Sequence, residues 1–171
     1  MSLQPYAIAP YLSPMGWLEI RAGEHGIVSL SFRDAEVAAT NTSPFLNACT
    51  KELDAYFKGS LKTFGVPLDL KGTEFQLNVW TELLKIPFGE TVSYLHIAEA
   101  LGDPGSTRAV GNANGKNPVA IIVPCHRVIG SQGSLVGYSG GMDKKKWLLE
   151  FERNLTHADL FNTQHNESQH G

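Results

Sequence analysis

Asn117-Pro118-Val119-Ala120-Ile121-Ile122-Val123-Pro124-Cys125-His126-Arg127-Val128 is the stretch on which the rest of the chain turns. Its apolar, β-branched run, residues 119–123, reads as a short buried strand. Pro124 stops it, because proline cannot donate to a ladder. Cys125 is then presented at a strand end, held rigidly yet within reach. A lone cysteine in a domain of this size is ordinarily a small buried hydrophobe. Cys125 instead leaves the apolar run and sits among charges, and the flanking His126 and Arg127 favour the thiolate, which is the nucleophile. Adjacent residues on extended backbone face opposite sides. Cys125 and His126 therefore meet only through a bridging water, or if the backbone turns at Pro124. The members of a protease dyad, by contrast, come from separate elements.

The chain has 171 residues, 42% of them hydrophobic, enough for one or two small packed domains. No apolar run approaches the roughly 18 residues of a membrane helix, and no basic segment followed by an apolar stretch marks a secretory leader at the N-terminus. Cys49 and Cys125 are the two cysteines. Their contexts differ too much for a structural pair, so a reducing, cytoplasmic compartment is expected. The net charge of −3 does not announce a nucleic-acid binder. Its distribution says more: Arg108, Lys116, Arg127, Lys144, Lys145 and Lys146 face only Asp143 between residues 108 and 147. Such a patch fits a modest phosphate footprint with salt-sensitive binding; the alternative is ordinary solvated surface.

Residues 5–12, 16–22 and 26–33 read as strands. Ser13-Pro14 and Gly23-Glu24-His25-Gly26 supply the turns, and such short connections imply an antiparallel meander. Ser43 as N-cap and Pro44 in the first turn open a helix whose apolar stripe holds Leu46, Cys49, Leu53 and Tyr56, until Gly59 ends it. Cys49 is therefore core, and His25 is a solvated turn residue. No metal-ligand constellation is visible. Residues 61–71 form a connector. The expected organisation is an N-terminal α/β domain over residues 1–71, a second domain over 72–153, and a disordered polar tail over 154–171.

Thr73 caps the next helix, with Phe75, Val79, Trp80, Leu83 and Leu84 on its apolar face, and residues 91–102 form another, with Tyr94, Ile97, Ala98 and Leu101 inward. After the turn Gly102-Asp103-Pro104-Gly105, Ser106 caps a third helix over residues 107–114. Two short helices joined by such a turn make a helix-turn-helix pattern. The third helix offers Ala109, Val110, Gly111 and Ala113, small residues that admit close backbone approach rather than base reading. Arg108 is its one long cation. Tyr138-Ser139-Gly140-Gly141 lets backbone come close to a ligand. Asp143 caps the last helix, with Trp147, Leu148 and Phe151 inward and Glu152 near its end. His157, His165 and His170 are scattered along the polar tail and carry no function.

Pro124-Cys125-His126-Arg127-Val128, with Asn117-Pro118 before it and Tyr138-Ser139-Gly140-Gly141 and Trp147-Leu148-Leu149 after it, resembles the active-site signature of the O6-alkylguanine-DNA alkyltransferases, or methylated-DNA–protein-cysteine methyltransferases. The likeness is close from about residue 72 to 152 and holds only in outline before that. It implies an α/β N-terminal domain with a small antiparallel sheet, and a mostly helical C-terminal domain of winged-helix type. It also implies irreversible, single-turnover transfer of the alkyl group from O6-alkylguanine, and possibly O4-alkylthymine, in double-stranded DNA to Cys125. The base must leave the duplex to reach such a sulfur. In this likeness Glu152 orients His126 in a Glu–His–water–Cys relay, and Tyr94 is the proton donor to the leaving base. Arg108 fills the space of the everted nucleotide, with Ser106, Thr107, Ala109 and Lys116 along the DNA. Asn117, Val128, Tyr138, Ser139 and Gly140 form the base pocket, Asn117 bracing the active-site turn. No cofactor and no metal are implied; the cysteines on which some relatives hold zinc are missing here. A monomer without membrane contact is expected. Ala120 stands where some relatives have the bulkier proline, leaving room for larger adducts. Two rival readings remain: a lesion-binding module, whose known kind replaces the cysteine, and a Cys–His hydrolase, which requires the base in direct contact with sulfur.

Overall fold

The computed structural model describes residues 6–130, 132–133 and 135–168, with side chains up to residue 163. Its first three strands are β1 (Ala7–Ser13), β2 (Gly16–Ala22) and β3 (Ile27–Phe32), antiparallel in the order β1-β2-β3. Leu18, Ile20 and Leu30 project from one face of this sheet into the core. Helix α1 (Pro44–Phe57) covers that face with Leu46, Cys49, Leu53 and Tyr56. The Ser43 hydroxyl accepts from the Phe45 N–H at 3.2 Å, Pro44 needs no partner for its nitrogen, and Gly59 reverses the chain at φ +82°.

The outer edge of β3 is occupied. Ile27 N–H donates to Pro67 O at 2.9 Å and Asp69 N–H to Ile27 O at 2.8 Å, which seats the connector. Leu30 N–H donates to Pro118 O, and Ala120 N–H to Leu30 O, both at 3.0 Å. The N-terminal sheet thus holds the segment that leads to Cys125.

Helix α2 (Glu74–Leu83) opens with a reciprocal capping box between Thr73 and Gln76. It buries Val79, Trp80 and Leu83, while Phe75 and Leu84 are exposed. Strand β4 (Val92–Ser93) pairs in parallel with β5 (Val128–Ile129). Helix α3 (Tyr94–Ala100) therefore begins later than the expected residue 91, where the Ser93 hydroxyl accepts from His96 N–H. Helix α4 (Thr107–Gly115) completes the helix-turn-helix pair. Ser106 does not cap it: its hydroxyl donates backward to Asp103 O at 2.7 Å, and Asp103 caps a preceding 3-10 turn, Pro104–Ser106. The Trp80 indole donates to Ala113 O at 2.9 Å and ties α2 to α4.

Helix α5 runs Met142–Ser168, with Asp143 inside its first turn rather than before it. Residues from Asn154 onward, expected as a disordered tail, continue this helix as far as Ser168. Neither glycine nor proline interrupts the run. Leu155 lies where a Cβ on Gly59 would meet it at 3.0 Å, and Asp159 pairs with Lys62. The disorder expected of residues 169–171 and the lack of function expected of His170 lie outside the described residues, as do the side chains of residues 164–168, that of His165 included. Among the described residues no helix is long and apolar enough to cross a membrane.

Candidate active site

Residues 119–123 do not form the expected strand. Val119 makes one isolated bridge, to Leu30, and the chain then coils through tight turns. Ile122 N–H donates to Ala120 O at 2.8 Å, closing a three-residue turn about Ile121, which has φ +71°. This is the rarer, strained hand of that turn. Cys125 N–H donates to Val123 O at 2.8 Å, closing a second such turn about Pro124 with the common hand, φ −82° and ψ 60°. The Asn117 carboxamide spans the coil, accepting from Val119 N–H at 3.0 Å and donating to Val123 O at 2.8 Å. Prolines at 118 and 124 deny a ladder its end bonds, and a run buried on every side has no two-residue period to keep.

Cys125, His126 and Arg127 share one 3-10 turn, and all three are buried. The ring Nε2 of His126 lies 2.9 Å from Glu152 Oε2, and Arg127 donates through Nε at 2.6 Å to Oε1 of the same carboxylate. Arg127 also donates to Ile86 O at 2.7 Å. Glu152 therefore receives two neighbours from one turn. Their charge and hydrogen bonds outweigh burial and hold its carboxyl below the ordinary value. An ionised carboxylate only accepts, so Nε2 of His126 carries the proton. Nδ1 is left unprotonated, and it has no partner among the described residues. Burial lowers the His126 pKa despite Glu152, so the ring is neutral near pH 7.

The thiol departs from expectation. Burial raises the Cys125 pKa, although Asn117, Lys145 and the backbone N–H groups of Cys125 and His126 pull it down. Arg127 does not activate the sulfur directly, because its charge is spent on Glu152. A thiol raised this way stays protonated at neutral pH and needs a base.

Lys145 is buried too. Its ammonium donates to Val128 O at 2.7 Å and Val136 O at 2.9 Å, pinning the segment before Tyr138 onto β5. Lys145 and Arg127 therefore leave the exposed patch, where Arg108, Lys116 and Lys146 are exposed and Lys144 partly so. Lys145, Leu148 and Glu152 form a buried stripe at spacings of three and four on α5. That stripe was the available signal that the middle lysine of three points inward. Asn114 was also missed: buried on α4, it donates to Cys125 O at 3.4 Å and links the helix-turn-helix to the reactive turn.

The Tyr94 hydroxyl donates to Val136 O at 3.1 Å, and burial together with Cys125 raises its pKa, so it keeps its proton. The Tyr138 hydroxyl is buried without a partner among the described residues, while Ser139 is exposed and Gly140 half-buried. Val128 presents its carbonyl to Lys145. Arg108 and Ala109 are exposed at the start of α4 and Lys116 just past its end, whereas the Ser106 and Thr107 hydroxyls are bonded back to Asp103 O and Pro104 O. The structure thus gathers Cys125, His126, Glu152, Asn117 and Val128 in one buried site, with Tyr94 and Tyr138 bordering it. Ser106, Thr107, Arg108, Ala109 and Lys116 lie on a separate surface along α4.

Residues 8–70 match the family model for the ribonuclease-like domain of 6-O-methylguanine DNA methyltransferase, and residues 74–154 match that for its DNA binding domain. The methylated-DNA–protein-cysteine methyltransferase of Mycobacterium tuberculosis is 50% identical over 155 residues, covering 86% of this chain and 93% of the relative. That of Methanosarcina acetivorans is 45% identical over 153 residues, covering 86% and 97%. Among solved structures, the M. tuberculosis O6-methylguanine methyltransferase matches with a TM-score of 0.80 at 44% identity, over 88% of this chain and 94% of that one. The M. tuberculosis OGT in complex with DNA matches with a TM-score of 0.78 at 46% identity, over 86% and 93%. With both halves matched in order and nearly the whole of these relatives covered, the chain belongs to the 6-O-methylguanine DNA methyltransferase family.

Proposed function

We propose that the protein repairs DNA by moving the alkyl group from O6 of guanine to the sulfur of Cys125. The observation that carries this reading is the buried turn holding Cys125 and His126, in which the imidazole is anchored through Nε2 at 2.9 Å from Glu152 while Nδ1 has no partner among the described residues; burial raises the pKa of the thiol and lowers that of the imidazole. His126 accepts the thiol proton at Nδ1 through a water, since that nitrogen makes no direct bond to sulfur. The S–C bond forms as the C–O6 bond breaks, and the departing guanine takes a proton from Tyr94. A Cys–His hydrolase needs its base directly on sulfur, and this site does not supply one.

A thioether is a poor leaving group, so each molecule acts once. Arg108, Ala109 and Lys116, on and beside α4, form the duplex-facing surface, with Ser106 and Thr107 at its edge. Arg108 takes the place of the flipped nucleotide. The pocket is bounded by Asn117, Val128, Tyr138, Ser139 and Gly140. Residues 1–71 support the site and residues 72–153 carry it. Two unpaired cysteines fit a reducing cytoplasm, and the chain acts as a monomer.

The test is intact mass after mixing with duplex DNA carrying O6-methylguanine. One methylene, about 14 Da, should appear on Cys125 in wild type and in Cys49→Ala, and should be absent in Cys125→Ser. Binding without mass gain would replace this reading with that of a lesion-recognition module.

A further inference from the structure

Strand β3 touches both sides of the pocket. Its Leu30 backbone holds Pro118 and Ala120, as described above. At its end, Phe32 meets the other side. A Cβ built on Gly140 would stand 2.4 Å from Phe32 Cδ2 and 2.7 Å from Cε2, so the Gly140 backbone lies directly on the ring. The same ring meets Tyr138 edge-on, with centroids 6.1 Å apart and planes at 67°, and carries the Lys144 ammonium 5.2 Å from its centroid. A cleft of about 450 Å³ opens along this strand, with Phe32, Asn117, Ala120, Ser139 and Gly140 in its lining. The ring fills the space between the Gly140 backbone and the end of β3.

We infer that Phe32 is a specificity-determining positioning residue: it fixes the separation between Ala120 and the Ser139–Gly140 wall, and so limits the O6 substituent that Cys125 accepts. The inference rests on the alkyl-transfer reading. Without the ring the wall has room to retreat. A methyl group then loses positional constraint, while a bulky group gains space.

The experiment compares single-turnover rates on duplexes carrying O6-methylguanine and O6-benzylguanine. In Phe32→Ala the benzyl-to-methyl rate ratio should rise roughly threefold to tenfold, the size expected when one aromatic contact is lost. Phe32→Leu should return part of the way, and it carries the same test should the alanine variant fold poorly. Leu46→Ala, a core change in α1 away from the pocket, should slow or destabilise without moving the ratio. An unchanged ratio in both Phe32 variants, or an equal shift in Leu46→Ala, overturns the inference. A wild-type protein that transfers neither group overturns the function itself, which is a separate result.

Discussion

Cys49 and Cys125 are both buried thiols, and burial raises both. Cys49 sits mid-helix on α1 between Leu46 and Leu53; its pKa is pushed up to about 12, and its charged neighbour, Glu52, pushes the same way. Cys125 is as deeply buried, but the groups around it pull down: Asn117, Lys145 and two backbone N–H groups. Reactivity here does not follow exposure. It follows which polar groups the backbone can aim at the sulfur. A regular helix spends its N–H groups on its own ladder, whereas the turn at residues 125–127 sets the N–H groups of Cys125 and His126 and the Asn117 carboxamide close to the sulfur.

The comparison breaks most severely at Glu152. Glu152→Gln leaves Arg127 buried without its carboxylate, which should destabilise the protein by about 3–5 kcal/mol in urea unfolding. It also removes the anchor of His126, so methyl transfer should fall by about 100-fold or more. Because the folded Glu152 carboxyl titrates below its unfolded value, its stabilisation is present above the ordinary carboxylate pKa and is lost as pH falls through the folded value. That acid-side loss should shrink in the variant. An unfolding midpoint equal to wild type would mean that the buried Glu152–Arg127 pair contributes nothing net to the fold.

Lys145→Met sharpens the contrast with a smaller effect. It keeps volume while removing the positive charge that lowers the Cys125 pKa. The thiolate is the reactive form, so the rise of rate with pH should move to more alkaline values, and transfer at pH 7 should drop about tenfold for each unit of movement. Iodoacetamide labelling against pH reads this directly at Cys125, while Cys49 should remain unlabelled in both proteins. A profile that does not move would remove Lys145 from the electrostatics and leave it its bonds to the carbonyls of residues 128, 136 and 137.

Where local chemistry decides structure, the sequence was legible. The meander followed from its turns, α1 from Ser43 and Pro44, and α2 from Thr73 and Gln76. The candidate pair Cys125 and His126 stands out because Cys125 leaves an apolar run. The run itself misled: five β-branched or apolar residues look alike whether they pair as a strand or coil inside a core, and the Asn117 carboxamide and Leu30 edge that decide between these are remote or side-chain events. A sequence reading sets Lys145 and Arg127 at the surface, because cations with no visible partner usually lie there. Only the tertiary positions of Glu152 and of the carbonyls at 128 and 136 bring them inside. The end of α5 was hidden for a similar reason, since Leu155 and Asp159 find Gly59 and Lys62 from the other half of the chain.

The subtlest difference between the two cysteine regions is backbone strain, and Ile121 isolates it. Cys49 has helical neighbours, in which glycine is about 1 kcal/mol worse than alanine. Ile121 holds φ +71° with its side chain fully buried, so either truncation loses the same packing to within one methyl. Glycine adopts that dihedral without cost, while alanine pays roughly 1 kcal/mol for it. The usual order should therefore invert: Ile121→Gly should unfold at the same or a higher urea concentration than Ile121→Ala. Alanine the more stable by its ordinary helical margin would mean that the turn before Cys125 stores no strain, and that the two regions differ in their polar neighbours alone.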